Sequence, residues 1–247
     1  MAEKKEKKAQ ELEAIDTKNL QESMKPAPGT EAISKEDILL PRLRLLQDLS
    51  VEVKDQEAKS GKLKHSLTEK VYDNVEFIPI SMFKTRIMFD PANRNGAPLC
   101  RTTDMKIGSD GSTCLECTNS KWSEGKPPLC NVIFNYLMMM PEEIGAMIMP
   151  TILSFMKISS QAALKLNTSV EFTLPRQPFW NKVWLLQPKL KHFSKGEAWL
   201  LTVQQVRETT AKEREWTKMI YDNVAGKRIA EAEEEHIADV PPVDDLS

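Results

Sequence analysis

Five runs of the chain alternate apolar with polar positions at the two-residue period of a strand, and turn residues such as Gly, Pro and Asn separate them. They are "VEFIPISMFKTRIMF" (Val75 to Phe89, with a bend expected at Pro79), "VIFNYLMMM" (Val132 to Met140), "TILSFMKI" (Thr151 to Ile158), "FWNKVWLLQ" (Phe179 to Gln187) and "AWLLTVQQV" (Ala198 to Val206). The stretch from Arg42 to Val53 adds an edge element. Two helical patterns punctuate the strands. "SSQAALKL" lies between the third and fourth, and a final helix opens at "TTAKE", where Thr210 and Glu213 have capping-box spacing. That last helix places Trp216, Met219, Ile220 and Val224 on one face. The pattern predicts a mainly β protein, with strands enough for a small barrel and a C-terminal helix. "SKEDILL" reads as an N-cap and a short helix that stops at Pro41, so the folded domain is expected over residues 34–226. Residues 1–33 form a polar Lys/Glu arm ending in the break "KPAPGT" and are expected to be disordered.

With 247 residues, 40% of them hydrophobic, the chain can bury a sizeable core. Its first residues carry no signal-peptide pattern, and its longest apolar stretch is interrupted by Pro141, Glu142 and Glu143, so a cytoplasmic, membrane-free protein is expected. The net charge of -2 conceals an uneven distribution. Seven of the 36 acids fall after Ile229 with no Lys or Arg among them, which leaves 34 basic against 29 acidic residues in the rest. A mildly basic body therefore carries an acidic tail over 227–247, expected to be disordered.

All four cysteines lie in one stretch, at Cys100, Cys114, Cys117 and Cys130. A C-x2-C pair lets two thiolates face one ion, and two further cysteines complete a tetrahedron. Because the flanks are rich in Gly, Ser, Asn and Pro, little apolar surface exists there to hold a fold, so a structural Zn2+ is expected to brace the insertion over 90–131. A four-thiolate set also suits an iron–sulfur cluster, and free or redox thiols are the remaining reading. Four thiolates leave no open position for a hydrolytic water.

No catalytic constellation accompanies them. The three histidines form no H-E-x-x-H pattern, nine glycines build no P-loop, and no nucleophile elbow occurs, so the chain reads as a binding protein rather than an enzyme. The strands offer a surface instead. By alternation Trp180, Lys182 and Trp184 share one face, and Lys84 and Arg86 share another with Met82 and Met88. Aromatic rings among cations suit single-stranded nucleic acid, in which bases stack and phosphates follow charge. Arg42, Arg44, Lys157, Lys165, Arg176, Lys189 and Lys191 would extend such a groove. The competing reading places both indoles in the core with Lys182 extended along an edge.

The segment "ISMFKTRIMFDPANRNGAPLC", the insertion with "CLECTNSKW" and the end "EEEHIADVPPVDDLS" together resemble bacteriophage single-stranded DNA-binding proteins. The resemblance implies an OB-fold core, an acidic tail that competes with DNA for the groove and recruits replication or recombination proteins, and in some relatives a zinc site. This chain departs from tails that end in an aromatic residue, for it ends in Asp244, Asp245, Leu246 and Ser247. The expected function is binding and protection of single-stranded DNA without strong sequence preference. The alternatives are a strand-annealing recombination protein, an iron–sulfur nuclease, and a zinc-ribbon interaction module of the replication or transcription machinery.

Overall fold

The 14-residue strand β4 (Val75–Met88) is shared by two halves of a curled sheet in this computed structural model, which describes residues 28–33, 37, 39–92, 97–123, 125–143, 148–194 and 196–224. Its first residues pair with β8 (Lys182–Phe193), from Val75↔Leu186 to Phe77↔Trp184. The remainder pairs with β6 (Asn131–Met139), and the last three residues also pair with β5 (Cys100–Thr102). One strand can serve both halves because its register shifts between Pro79 and Ser81, leaving Ile80 as the extra residue of a bulge. The bend expected at Pro79 is this bulge.

From β6 the sheet continues through β7 (Thr151–Met156), β1 (Arg42–Leu45), β2 (Leu63–His65) and β3 (Val71–Tyr72), and from β8 through β9 (Gly196–Glu208). Among the described strands only β1 and β7 pair in parallel. A short helix α1 (Val51–Lys54) follows β1, α2 (Ser160–Glu171) follows β7, and α3 (Ala211–Val224) ends the described chain. The whole is mainly β, a half-barrel with a C-terminal helix. The end strand β9 approaches the segment after β1 through a side chain: Gln47 Nε2 donates to the Trp199 carbonyl at 2.9 Å, and the Trp199 N–H donates to Gln47 Oε1 at 3.3 Å. Gly61, at φ +76°, lies under the Trp199 ring, where a Cβ would stand 2.5 Å from the indole.

Both faces of the sheet are covered. On the concave side Tyr136, Phe155, Phe77, Trp184 and Leu166 of α2 form one core, and on the other side Ile78, Ile80, Leu137, Met139 and Val183 pack with Ile220 of α3. The Thr210–Glu213 capping box forms as expected, with the Thr210 N–H donating to Glu213 Oε2 at 2.7 Å and the Glu213 N–H to Thr210 Oγ1 at 3.2 Å. Two expectations need correction. Phe179–Asn181 is a 3-10 turn, closed by the Asn181 N–H donating to the Pro178 carbonyl, and the strand begins only at Lys182. The Arg42 to Val53 element is a four-residue strand followed by α1, not one edge. The expected helix at Ser34 and the acidic tail fall largely or wholly outside the described residues, as does nearly all of the polar arm.

Candidate nucleic-acid interface and cysteine cluster

β4 presents Met82, Lys84, Arg86 and Met88 on one side and buries Thr85 and Ile87 on the other, as the alternation predicts. Lys84 pairs across the ladder with Phe134, and its Nζ stands 5.2 Å from the centre of that ring, a cation–π contact. The indoles behave differently. Trp184 is 1% exposed and lies in the concave core, because the register shifts between Val183 and Trp184 and both faces of β8 are covered there. It therefore offers no ring to a ligand, which corrects its place beside Lys182 on an open face. Trp180 is half-buried, packs on the α3 side of the sheet and meets the Tyr221 ring at 4.9 Å.

The expected cations are distributed over several elements. Arg42 and Arg44 lie on β1, the first donating to Ser154 Oγ at 3.3 Å and the second paired with Glu52. Lys182 donates to Thr173 Oγ1 at 3.3 Å, Lys165 donates to the Val203 carbonyl at 3.1 Å, and exposed Arg176 pairs with Glu171. Lys157 opens the turn after β7 with its backbone in the left-handed region, at φ +48°. Lys189 and Lys191 are exposed along the outer part of the β8–β9 hairpin, where Lys191 Nζ stands 5.1 Å from the Phe193 ring.

Arg86 has a different neighbourhood. Its Nη1 donates to the Cys130 carbonyl at 3.5 Å, and its strand partner is Thr102 of β5, two residues from Cys100. Backbone bonds draw the excursion together around the thiols: the Cys130 N–H donates to the Asn119 carbonyl at 2.9 Å and the Cys114 N–H to the Lys106 carbonyl at 2.8 Å. Ser120 Oγ lies within hydrogen-bond distance of the carbonyls of both Cys114 and Cys117. Gly108 packs against Cys100, since a Cβ there would stand 2.5 Å from its Sγ.

Cys100, Cys114 and Cys130 are buried, and Cys117 is half-buried. Burial above all, then the neighbouring Cys100, pushes the Cys114 thiol up, against the pull of Arg86. At Cys130 burial again dominates, Arg86 opposes it, and Cys100 and Cys114 add to the rise. The Cys100 thiol also hydrogen-bonds Asp110, helping to hold that carboxylate below its usual range after the larger contribution of Ser112. The thiols are neighbours, but among the described residues no group of three or more Cys, His, Asp or Glu stands at metal-ligand geometry.

A family model described as "Pam3 phage gp34-like protein" matches residues 5–230. The chain belongs to this family. No curated protein and no solved structure matches it. Sequence alternation in this gp34-like protein missed two aromatic residues beside cations, Phe193 at the hairpin and Trp122 in the cysteine excursion. Trp122 is 70% exposed between Lys121 and Ser123. Its signal was present in "NSKW", a ring next to a cation in a loop too polar to bury it. Among the described residues no helix is long and apolar enough to cross a membrane.

Proposed function

We propose that this gp34-like protein binds single-stranded nucleic acid on an OB-type barrel, coating and protecting the strand without strong sequence preference. One observation carries the reading: the connectivity of its long strands. β4, β6, β7, β8 and β9 lie in spatial order β7-β6-β4-β8-β9, with α2 between the third and fourth in sequence, an order that supports a five-stranded OB-type barrel. In that fold the face of strands two and three, the loop between strands one and two, and the loop between strands four and five line the groove for oligonucleotides. Here the first loop is the cysteine excursion and the second is the tip of the β8–β9 hairpin, beside Lys189, Lys191 and Phe193. Oligosaccharides use the same groove in other OB proteins, and exposed cations beside a ring favour a polyanion with stacking bases.

The cysteines enter this reading as a brace. Four thiols, mostly buried, lie in one excursion with almost no apolar core, and Gly108 leaves room at Cys100. This donor set fits a structural zinc held by Cys100, Cys114, Cys117 and Cys130, which supplies folding energy when bound and no open coordination position. The acidic end of the sequence would compete for the cationic surface and recruit proteins of replication or recombination.

Anisotropy titration of labelled oligo-dT tests the function. The Lys189→Ala/Lys191→Ala double variant should bind more weakly and lose about 1.4 from the slope of log affinity against log salt, the share of two phosphate contacts on a single strand. Full-length protein that binds no oligo-dT at low salt overturns the reading. A double variant with wild-type affinity and slope removes the hairpin from the interface.

A further inference from the structure

The cysteine excursion is built inside out. It turns its thiols inward while Leu99, Ile107, Leu115, Trp122 and Leu129 stay exposed. Trp122 is the largest of these and the one exposed indole among the five in the chain, since Trp184 is buried and Trp180, Trp199 and Trp216 are half-buried. Its backbone is nevertheless held. A 3-10 turn over Thr118–Ser120 precedes it, and the Ser123 and Lys126 N–H groups each donate to the other residue's carbonyl, at 3.2 and 2.9 Å, just after it. That 3-10 turn is tied to the cysteines through Ser120 Oγ and through the Cys130 N–H on the Asn119 carbonyl. The ring thus projects into water from a hydrogen-bonded stretch of backbone, with exposed Lys121 beside it and exposed Lys126 across the turn. Elsewhere in the excursion Asp104 accepts from the Lys106 N–H and Asp110 from the Ser112 N–H, while Glu116 is exposed.

We propose that Trp122 is a base-stacking residue of this protein, seating one nucleobase of a single strand on its indole while Lys121 and Lys126 meet the flanking phosphates. This rests on the nucleic-acid reading above and names a contact residue for it in the loop between strands one and two. A flat ring next to two ammonium groups matches a base with its phosphates better than an apolar protein surface, which would have to desolvate both lysines. Stacking also accounts for an excursion whose charges nearly balance, because it needs no net positive field.

Full-length wild-type protein, Trp122→Ala and Trp122→Phe are titrated with oligo-dT, following both anisotropy of the labelled strand and intrinsic tryptophan fluorescence. Trp122→Ala should weaken binding about tenfold with the salt slope unchanged, since a stacked base releases no counterions. Trp122→Phe should keep most of the affinity and lose most of the quenching, and both variants should melt like the wild type. If the wild type binds and Trp122→Ala binds equally with full quenching, Trp122 lies outside the interface and the proposal is overturned. If the wild type binds no oligo-dT, the nucleic-acid reading itself fails, and this contact with it.

Discussion

Glu213 is buried, yet its charge is well met. Arg207 donates to both of its carboxylate oxygens at 2.8 Å, and Thr210 completes the cap of α3. Desolvation, the largest effect, pushes this carboxyl up, but Arg207 and Thr210 together pull it below the usual range. Its contribution to stability is therefore present above the unfolded value near pH 4.3 and lost as pH falls through the folded value. Glu213→Ala should cost roughly 2–3 kcal/mol in chemical denaturation. His65 has the opposite chemistry and the same direction in pH. The Thr68 N–H donates to Nδ1 at 3.2 Å, so that nitrogen carries no proton and Nε2 faces Thr151 Oγ1 at 3.1 Å. Burial foremost, then Lys70, holds its pKa down. The folded state thus prefers neutral His65, and stability is complete above about pH 6.5 and declines as pH falls through the folded value. In His65→Gln the melting temperature should change less between pH 7 and pH 5 than in the wild type. Trp184→Ala should lower stability by roughly 3–5 kcal/mol, a core cavity effect, before any influence on binding can be read. Alternation left that burial as the competing reading, since it does not tell whether a strand has an open face, and β8 has none at Trp184.

At the scale of elements, the cysteine excursion carries the clearest prediction. Metal-free protein titrated with Co2+ should show the absorption bands of a tetrahedral thiolate site, one ion per chain, and chelation should unfold the excursion while the barrel strands persist. A spectrum without such bands removes the zinc brace. Four thiolates around a divalent cation leave a double negative charge, and Arg86 is the cation that the strand ladder brings beside Cys130. Arg86→Gln should therefore weaken metal binding several-fold in a chelator competition, with Arg86→Lys partly restoring it. The strand core was legible for β4, β6, β7 and β9, where turn residues bound each run, and the cap of α3 was legible from two residues. The role of Arg86 was not. Its spacing with Lys84 marks a shared face, but only the pairing of β5 with β4 sets it against the thiols.

For the whole molecule, the two unlike ends of the charge distribution set the prediction. Removing the residues after Ala230 takes away seven acids and no Lys or Arg, so oligo-dT binding should tighten and its salt dependence steepen in anisotropy titrations. Unchanged affinity would exclude the tail as a competitor for the cationic surface. The curl of the sheet was hidden in the sequence, because it depends on contacts between segments about 150 residues apart. The Gln47 amide touching Trp199 is the plainest of these. Where a ladder would close a barrel with many backbone bonds, this seam carries, among the described residues, the two Gln47 hydrogen bonds and the Trp199 ring over Gly61, so local parting is the expected behaviour. In hydrogen-exchange measurements the Trp199 amide should accordingly open well before those of β6, and Gln47→Ala should widen that gap.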